Sequence, residues 1–194
     1  MRSKPRTTPL LVPTTEDIEK LLRGFSRAPT SVRNKALVAT MWRAGLRCAE
    51  ALALLPDDVD RERGVITVRR GKGSKMRTVG ADAGLLSLID AWLAVRPRKR
   101  GAPLFCTLDG GLVSTSYARQ MTARRSRRLG IDPTIHPHSL RHAYACGLAR
   151  EGFNVPNIQR LLGHSDLVTT AIYLDGLGAD EAVAAAASRS WSLT

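Results

Sequence analysis

The sequence contains no long apolar segment. No run of 18 apolar residues occurs among its 194 residues, and no apolar stretch follows the basic start at residues 1–6. Without a long apolar run, a transmembrane helix is excluded. Without an apolar stretch behind the basic start, the N-terminus does not fit a secretory signal peptide. We therefore expect a cytoplasmic protein that has no membrane partner.

Cysteine and acidic residues are also scarce. The three cysteines, Cys48, Cys106 and Cys146, are scattered and odd in number, which does not fit a disulfide framework. The chain has 30 lysines and arginines but only 17 acidic residues, which gives a net charge of +13. Such an excess predicts a polyanionic partner, with nucleic acid favoured over an anionic membrane surface.

Hydrophobic spacing and cap residues predict an α+β fold that is mainly helical, with one small antiparallel sheet. Strands are expected at 64–70 and 76–79, joined by a hairpin with its tip at 71–75. The chain divides into a basic arm or linker remnant at 1–13, a globular domain at 14–178 and a tail helix at 179–194. Helices are expected at 14–25, 32–43, 48–54, 83–95, 114–129, 138–151, 156–162, 166–174 and 180–190.

Two segments of the chain are strongly basic. Residues 65–81 hold five basic residues and no acid, and residues 96–128 hold nine against the single acid Asp109. One such run alone is typical of a solvated face, but two runs of the same sign favour a nucleic-acid surface. The candidate DNA contacts are Arg69, Arg70, Lys75, Arg77, Arg119, Arg124 and Arg125.

Six side chains capable of catalysis stand at distinctive positions. Arg47 follows the end of a predicted helix, and Lys72 lies at the hairpin tip. His138 and Arg141 are three residues apart and therefore share one helical face. Each pattern alone is common, so only their order along the chain is informative. The six residues are Arg47, Lys72, His138, Arg141, His164 and Tyr173.

Together these positions carry a resemblance to a known family. Segments 40–52, 71–77, 136–142 and 161–173 resemble the catalytic domain of the tyrosine recombinases, the phage integrase family. The resemblance covers residues 14–178 and implies the fold of that domain, site-specific cleavage and rejoining of DNA, and a bacterial, phage or mobile-element origin with a nucleoid location. It implies catalytic roles for the six residues, with Glu50 at the supporting acidic position.

The same residues suit the transfer of a DNA strand to a side chain. Tyr173 supplies a nucleophile, but a phenol with a pKa of about 10 is only about 0.1% ionised at pH 7, so it needs a base or a positive site. Arg47 and Arg141 offer planar forks to the two non-bridging phosphate oxygens. The remaining roles are base or proton shuttle for His138, a hydrogen bond to phosphate for His164, and proton donation to the departing 5′ oxygen for Lys72.

The resemblance also implies how the reaction is completed and with which partners. A covalent 3′-phosphotyrosine conserves the phosphoester bond energy, so religation needs no ATP. Two arginines and Lys72 supply the positive charge, so no metal and no cofactor are expected. Double-stranded DNA is the expected partner, and we expect a monomer in solution that self-assembles on DNA into a synaptic tetramer.

Several alternative interpretations remain open for single residues. Arg47 and Glu50 are spaced as a simple ion pair at i and i+3. Tyr117 and Tyr144 are rival nucleophiles, and His142 is expected to be buried and structural. A zinc site is suggested by the helical spacing of three residues, although no fourth ligand stands at suitable spacing. Those three residues are His138, His142 and Cys146.

The whole chain also has alternative interpretations. It is compatible with a type IB topoisomerase-like enzyme that relaxes DNA, or with a non-catalytic DNA-binding module of the same fold. Most members of the family carry a helical DNA-clamping domain ahead of the catalytic one, and here only residues 1–13 precede it. The alanine-rich tail with Trp191 either packs on its own domain or, as the resemblance suggests, docks into a neighbouring protomer.

Overall fold

The computed structural model describes residues 12–69 and 76–163. No helix in this part of the chain is long and apolar enough to cross a membrane. The predicted hairpin tip, the helices at 166–174 and 180–190 and most of the N-terminal arm lie outside the described residues. The described elements are α1 (Thr15–Arg23), α2 (Pro29–Arg43), α3 (Cys48–Ala53), a 3-10 turn (Pro56–Asp58), β1 (Val59–Asp60), β2 (Val65–Val68), β3 (Arg77–Gly80), α4 (Ala83–Val95), α5 (Thr115–Arg128), α6 (Pro137–Arg150) and α7 (Val155–Leu162).

Helix starts follow cap residues and prolines in the sequence. At α1 the Thr14 hydroxyl accepts from the Asp17 amide at 3.1 Å, and the Asp17 carboxylate accepts from the Thr14 amide at 3.2 Å, which is a capping box. Ser114 caps α5 through its side chain. The helix predicted at 32–43 begins earlier, at Pro29, because proline is preorganised for a first turn that does not need its missing N–H.

The three strands form one antiparallel sheet in the order β1-β2-β3. Val68 of β2 lies opposite Arg77 of β3, and Val65 lies opposite Gly80. The predicted pairing of the two strands is therefore confirmed, although β2 is shorter than the predicted segment 64–70. Strand β1 was not predicted, because a segment of two residues has no alternation to recognise.

Helix α2 lies at the centre of the core, where α4 and α6 pack against it. Leu37 and Met41 of α2 and Ile89 and Trp92 of α4 are fully buried. The Trp92 indole N–H donates to the Leu104 carbonyl at 2.6 Å, so this large ring is buried without losing its hydrogen bond. The packing of α2 on α6 brings the turn between α2 and α3 beside α6, and this contact positions the candidate site.

A polar network around the buried side chains of Arg33 and Asn34 ties α5 to the core. Arg33 of α2 donates to the Asn34 side-chain oxygen at 2.9 Å, to the Cys106 carbonyl at 3.2 Å and to the Tyr117 hydroxyl at 3.0 Å. The Asn34 amide group also donates to the Tyr117 hydroxyl, at 3.0 Å. Because a buried guanidinium is costly without hydrogen-bond partners, these contacts hold the first turn of α5 in place.

Candidate active site

Arg47 and Arg141 come from distant parts of the chain and meet at Glu50. Arg47 directly precedes α3; its Nη1 donates to Glu50 Oε1 at 2.8 Å and its backbone amide donates to Glu50 Oε2 at 2.9 Å. Arg141 lies on α6 and places its Nη1 at 3.8 Å from Glu50 Oε2. The ion pair suggested by the i, i+3 spacing is therefore present, but it belongs to a larger cluster.

The turn before Arg47 depends on Gly45. Its φ of +63° lies in the left-handed region that favours glycine. A Cβ at this position would lie 2.3 Å from Cδ1 of Tyr144, so the tyrosine ring packs directly on the bare backbone. The Gly45 carbonyl accepts from Arg141 Nη1 at 2.5 Å. Glycine thus permits the close approach of this turn to α6 that brings the two arginines together.

The guanidinium of Arg141 is held by the backbone of two separate segments. The residue is only 2% exposed, and its Nη2 donates to the Leu162 carbonyl at 2.5 Å. Together with the bond to Gly45, this contact fixes the plane of the guanidinium. A side chain with a fixed plane is preorganised for recognition of a phosphate by two parallel hydrogen bonds.

Glu50 is ionised at neutral pH although it is buried. Burial by itself raises the pKa of Glu50, but hydrogen bonds from the Arg77 side chain and the Arg47 backbone, together with the charge of Arg77, bring the pKa down to about 2. The carboxylate is thus shared by three guanidiniums, those of Arg47, Arg77 and Arg141. The cluster keeps a net positive charge, which suits an anionic ligand.

His138 precedes Arg141 by one turn of α6 and is partly buried. Burial lowers the pKa of His138 below its ordinary value, and the charges of Arg141 and Arg47 lower it further. The imidazole is therefore neutral at pH 7 and is able to accept a proton. The ring of His142 lies edge-on to it with a centroid distance of 4.1 Å, and His142 is buried as expected.

A cavity of about 490 Å³ opens over these groups. It is lined by Arg47 beside α3, by His138 and Arg141 of α6, and by Thr115 and Ser116 at the start of α5. The two hydroxyl residues were not predicted as site residues, because serine and threonine are ordinary at helix starts. The polar network of Arg33 and Tyr117 places this end of α5 at the cavity.

Arg119 extends the positive lining beyond this cavity. It lines the 490 Å³ cavity and also a neighbouring one of about 510 Å³, where Arg124 and Arg127 are further lining residues. Arg119 and Arg124, both predicted DNA contacts, are exposed. Arg69 is exposed too and forms an ion pair with Asp58. Contact of these arginines with DNA stays a prediction.

The structure places Arg77, a predicted DNA contact, beside Glu50 and α7. This side chain is only 11% exposed, and it donates to both carboxylate oxygens of Glu50 and to the Leu161 carbonyl. The Arg77 guanidinium is therefore directed into the interior of the site. Charge counting along the sequence missed this because Glu50 and Leu161 are far from Arg77 in the chain.

Arg125 is another predicted DNA contact whose guanidinium binds groups of the protein itself. Its guanidinium donates to the Gly24 carbonyl and lies 4.2 Å from the centre of the Phe25 ring. These contacts anchor α5 to the segment that follows α1. The neighbouring Arg124 points to a different face because successive helical residues are separated by about 100°.

Five predicted site residues lie outside the described residues, so their roles stay predictions. Gly163, which comes directly before the predicted catalytic His164, ends α7 with a φ of +62°. Its carbonyl accepts from Arg47 Nη2 at 3.3 Å. The residue directly before His164 is therefore in contact with Arg47. The five are Arg70, Lys72, Lys75, His164 and Tyr173.

The rival tyrosines do not line the 490 Å³ cavity. The hydroxyl of Tyr117 accepts from both Arg33 and Asn34. Tyr144 lines a separate cavity of about 370 Å³, and burial raises the pKa of its phenol. Burial therefore favours the un-ionised form of Tyr144, which is the poorer nucleophile.

The zinc alternative finds no support in the part of the chain that the structure describes. Among residues 12–69 and 76–163, no three histidine, cysteine or acidic side chains form a group that could hold a metal ion. His138 and His142 have adjacent rings, but Cys146 does not complete a ligand set with them. Burial raises the pKa of Cys146, which also disfavours the thiolate that zinc binds.

Comparison with known proteins decides the family. The model of the phage integrase family matches residues 12–177, which is most of the chain. This chain belongs to the phage integrase family. The resemblance found in the sequence is therefore confirmed, and the arginine cluster lies within a domain that this family shares.

Curated members of the phage integrase family show clear sequence identity. Tyrosine recombinase XerA of Thermococcus kodakarensis is 37% identical over 177 residues, which cover 89% of this chain and 61% of that protein. Tyrosine recombinase XerD of Mycobacterium tuberculosis is 35% identical over 171 residues, covering 82% of this chain and 55% of that protein. The chain thus spans about half to two thirds of the length of these relatives.

Solved structures from the family share the fold. The crystal structure of XerA recombinase superposes with a TM-score of 0.82 at 26% identity, covering 95% of this chain and 67% of that one. The XerH site-specific recombinase, bound to its palindromic difH substrate in a post-cleavage complex, superposes with a TM-score of 0.78 at 27% identity, covering 96% and 55%. The predicted tyrosine-recombinase catalytic fold is confirmed.

Proposed function

We propose that this protein is a site-specific DNA recombinase that cleaves and rejoins DNA through a covalent 3′-phosphotyrosine on Tyr173. The observation that carries the proposal is the cluster of Arg47, Glu50 and Arg141, which lies at a cavity together with His138. Its net positive charge and planar donors match the non-bridging oxygens of a phosphodiester. Relatives named tyrosine recombinases, and a structural neighbour bound to its DNA substrate after cleavage, support it.

In the proposed cleavage step, the Tyr173 hydroxyl oxygen attacks phosphorus and the bond from phosphorus to the 5′ oxygen breaks. His138 accepts the phenolic proton, because its lowered pKa leaves the imidazole neutral at pH 7. Lys72 donates a proton to the departing 5′ oxygen. Arg47 and Arg141 stabilise the charge that builds up on the non-bridging oxygens. Rejoining is the reverse attack of the 5′-hydroxyl on the phosphotyrosine, so ATP is not consumed.

A nicked suicide substrate tests this proposal. The protein is incubated in excess EDTA with nicked duplexes that cover the DNA flanking its gene, so that the short fragment released by cleavage diffuses away. We expect an SDS-resistant protein–DNA adduct. A strict requirement for added magnesium or zinc would indicate a metal nuclease instead. Binding without any adduct would indicate a non-catalytic module, and relaxation of supercoiled DNA without exchange between paired sites would indicate a topoisomerase.

We expect DNA binding to depend strongly on salt and to be only modestly selective for sequence. Segments 65–81 and 96–128 together hold 14 basic residues. If about six of them contact phosphates, log affinity falls with a slope of about −5 per log of salt concentration. Fluorescence anisotropy of a labelled duplex, titrated with KCl at constant pH, measures this slope.

Two neighbouring arginines provide a matched pair for the salt experiment. Arg124→Gln should reduce the slope by about 1, because Arg124 is exposed beside Arg119. Arg125→Gln should leave the slope unchanged, because its guanidinium is packed on Phe25. A nearly flat response of the wild type would contradict a phosphate-contacting role for the two basic segments.

We further propose that residues 14–178 form the catalytic unit and that residues 179–194 link protomers on DNA, in the nucleoid. The alanine-rich segment before Trp191 is predicted from the sequence to be a helix. The large Trp191 ring needs an apolar pocket, and a neighbouring protomer supplies one in this proposal. Mass measurement should find a monomer without DNA and a tetramer with two paired sites. A stable oligomer in the absence of DNA would contradict this account.

A further inference from the structure

Arg77 connects three parts of the candidate site. Its Nη1 and Nη2 donate to the two carboxylate oxygens of Glu50 at 3.0 and 2.7 Å, and its Nε donates to the Leu161 carbonyl at 3.0 Å. Arg77 is also the first residue of β3, opposite Val68 in the sheet. One guanidinium thereby joins the sheet, the acid that supports Arg47, and the last turn of α7.

The last turn of α7 is bound by three arginines in succession. The carbonyls of three consecutive residues, 161, 162 and 163, accept from Arg77 at 3.0 Å, from Arg141 at 2.5 Å and from Arg47 at 3.3 Å. The final carbonyls of a helix have no partner within the helix and carry its partial negative charge, so cations are favoured there. The position of α7 is therefore coupled to the orientation of both catalytic arginines.

Arg77 also packs tightly at the end of α7. A Cβ placed on Gly163 would lie 3.0 Å from Cδ and 3.1 Å from Nε of Arg77. The left-handed glycine thus leaves room for the arginine stem at the point where the chain continues to His164.

We propose that Arg77 is a positioning residue for strand cleavage. It acts through Glu50 and α7. By holding the Glu50 carboxylate in place, it keeps the guanidinium groups of Arg47 and Arg141 oriented toward the cavity. In this proposal Arg77 does not contact the DNA phosphate itself. The role requires the planar fork as well as the charge, because two carboxylate oxygens and one carbonyl are bound at once. The part of this inference that concerns the cleavage rate rests on the proposed recombinase function. The part that concerns the pKa of Glu50 rests on the contacts between Arg77 and Glu50.

Arg77→Lys and Arg77→Gln test this role, with Arg61→Gln as the matched control. Arg61 forms an ion pair with Asp90 in which both side chains are about half exposed, away from Glu50. The single-turnover cleavage rate at saturating nicked DNA should fall by about tenfold or more in both Arg77 variants, since small misplacements of catalytic groups are costly. Affinity for a single DNA site should stay almost unchanged, and the control should match the wild type in both measurements.

A second measurement does not depend on activity. In carboxyl-labelled protein, NMR titration of Glu50 should place its pKa near 2 in the wild type and at least about one unit higher in Arg77→Gln, because a hydrogen-bonding cation is lost. Because the pKa of Glu50 is lower in the folded protein than in the unfolded chain, ionised Glu50 stabilises the fold at pH values above its ordinary pKa. That stabilisation is lost as the pH falls toward 2. The stability difference between pH 5 and pH 3 should therefore shrink in Arg77→Gln.

The two readouts separate failure of this inference from failure of the proposed function. Cleavage at the wild-type rate by Arg77→Lys would overturn the need for a fork. An unchanged Glu50 pKa in Arg77→Gln would overturn the coupling to Glu50. If the wild type forms no DNA adduct, the recombinase proposal fails, and the Glu50 titration still decides whether Arg77 controls that carboxylate.

Discussion

Tyr173→Phe is expected to abolish the covalent protein–DNA adduct while DNA binding is retained. The substitution removes one hydroxyl, which is the proposed nucleophile, and no charge, so the electrostatic part of affinity is unaffected. Gel electrophoresis in SDS after incubation with the nicked substrate measures the adduct, and anisotropy measures binding. This is the largest effect that we predict, because no residual nucleophile remains in the proposed mechanism.

Tyr144→Phe is the matched control for the nucleophile. It removes the same atom from a ring that packs on Gly45 and lines the separate 370 Å³ cavity. Adduct formation should therefore continue at the wild-type level. An SDS-resistant adduct formed by the Tyr173→Phe protein would assign the nucleophile to another residue and overturn the proposed mechanism.

Arg141→Lys is expected to slow strand cleavage by at least about 100-fold, the usual loss when one oxyanion donor is removed. In the wild type the two Nη atoms donate to the carbonyls of Gly45 and Leu162 at 2.5 Å each. A single ammonium group cannot span both carbonyls and also present a planar edge to a phosphate. Single-turnover cleavage at saturating DNA measures the loss, and Arg141→Ala should show at least as large an effect.

The stability of the Arg141 variants separates folding from catalysis. Leaving a buried carbonyl without its donor costs about 1–3 kcal/mol, so rates are compared at a temperature where both proteins are folded. Arg150→Lys is the control, because Arg150 lies on the same helix, α6, but is exposed. Full cleavage activity in Arg141→Lys would show that the planar fork is not used.

The arginine cluster also explains why an acid belongs in a site that is proposed to bind an anion. Glu50 lies among Arg47, Arg77 and Arg141, and without it three like charges would repel one another at short range. Because one carboxylate offsets only part of this charge, the site stays positive while its guanidiniums are held apart in defined planes. The low pKa of Glu50, about 2, keeps this balance constant across the physiological range.

Local sequence signals were sufficient for most elements of the fold. Thr14 and Ser114 cap helices where predicted, because the donors they satisfy are only three residues away. The antiparallel pairing of β2 and β3 was likewise confirmed, and it was predictable because strands that follow each other closely in the sequence usually pair. The order of the candidate catalytic residues was sufficient to predict the family, because a family resemblance is carried by residue identity and spacing, which the sequence contains in full.

Tertiary structure decided how the charged side chains are used. Arg77 and Arg125 look like any other residue of a basic segment, yet one binds Glu50, 27 residues away, and the other binds the Gly24 carbonyl, 101 residues away. The cavity lining from Thr115 and Ser116 likewise depends on a network that begins at Arg33. A guanidinium donates to phosphate, carboxylate and carbonyl oxygens alike, so only the packing of remote elements determines which of them it meets.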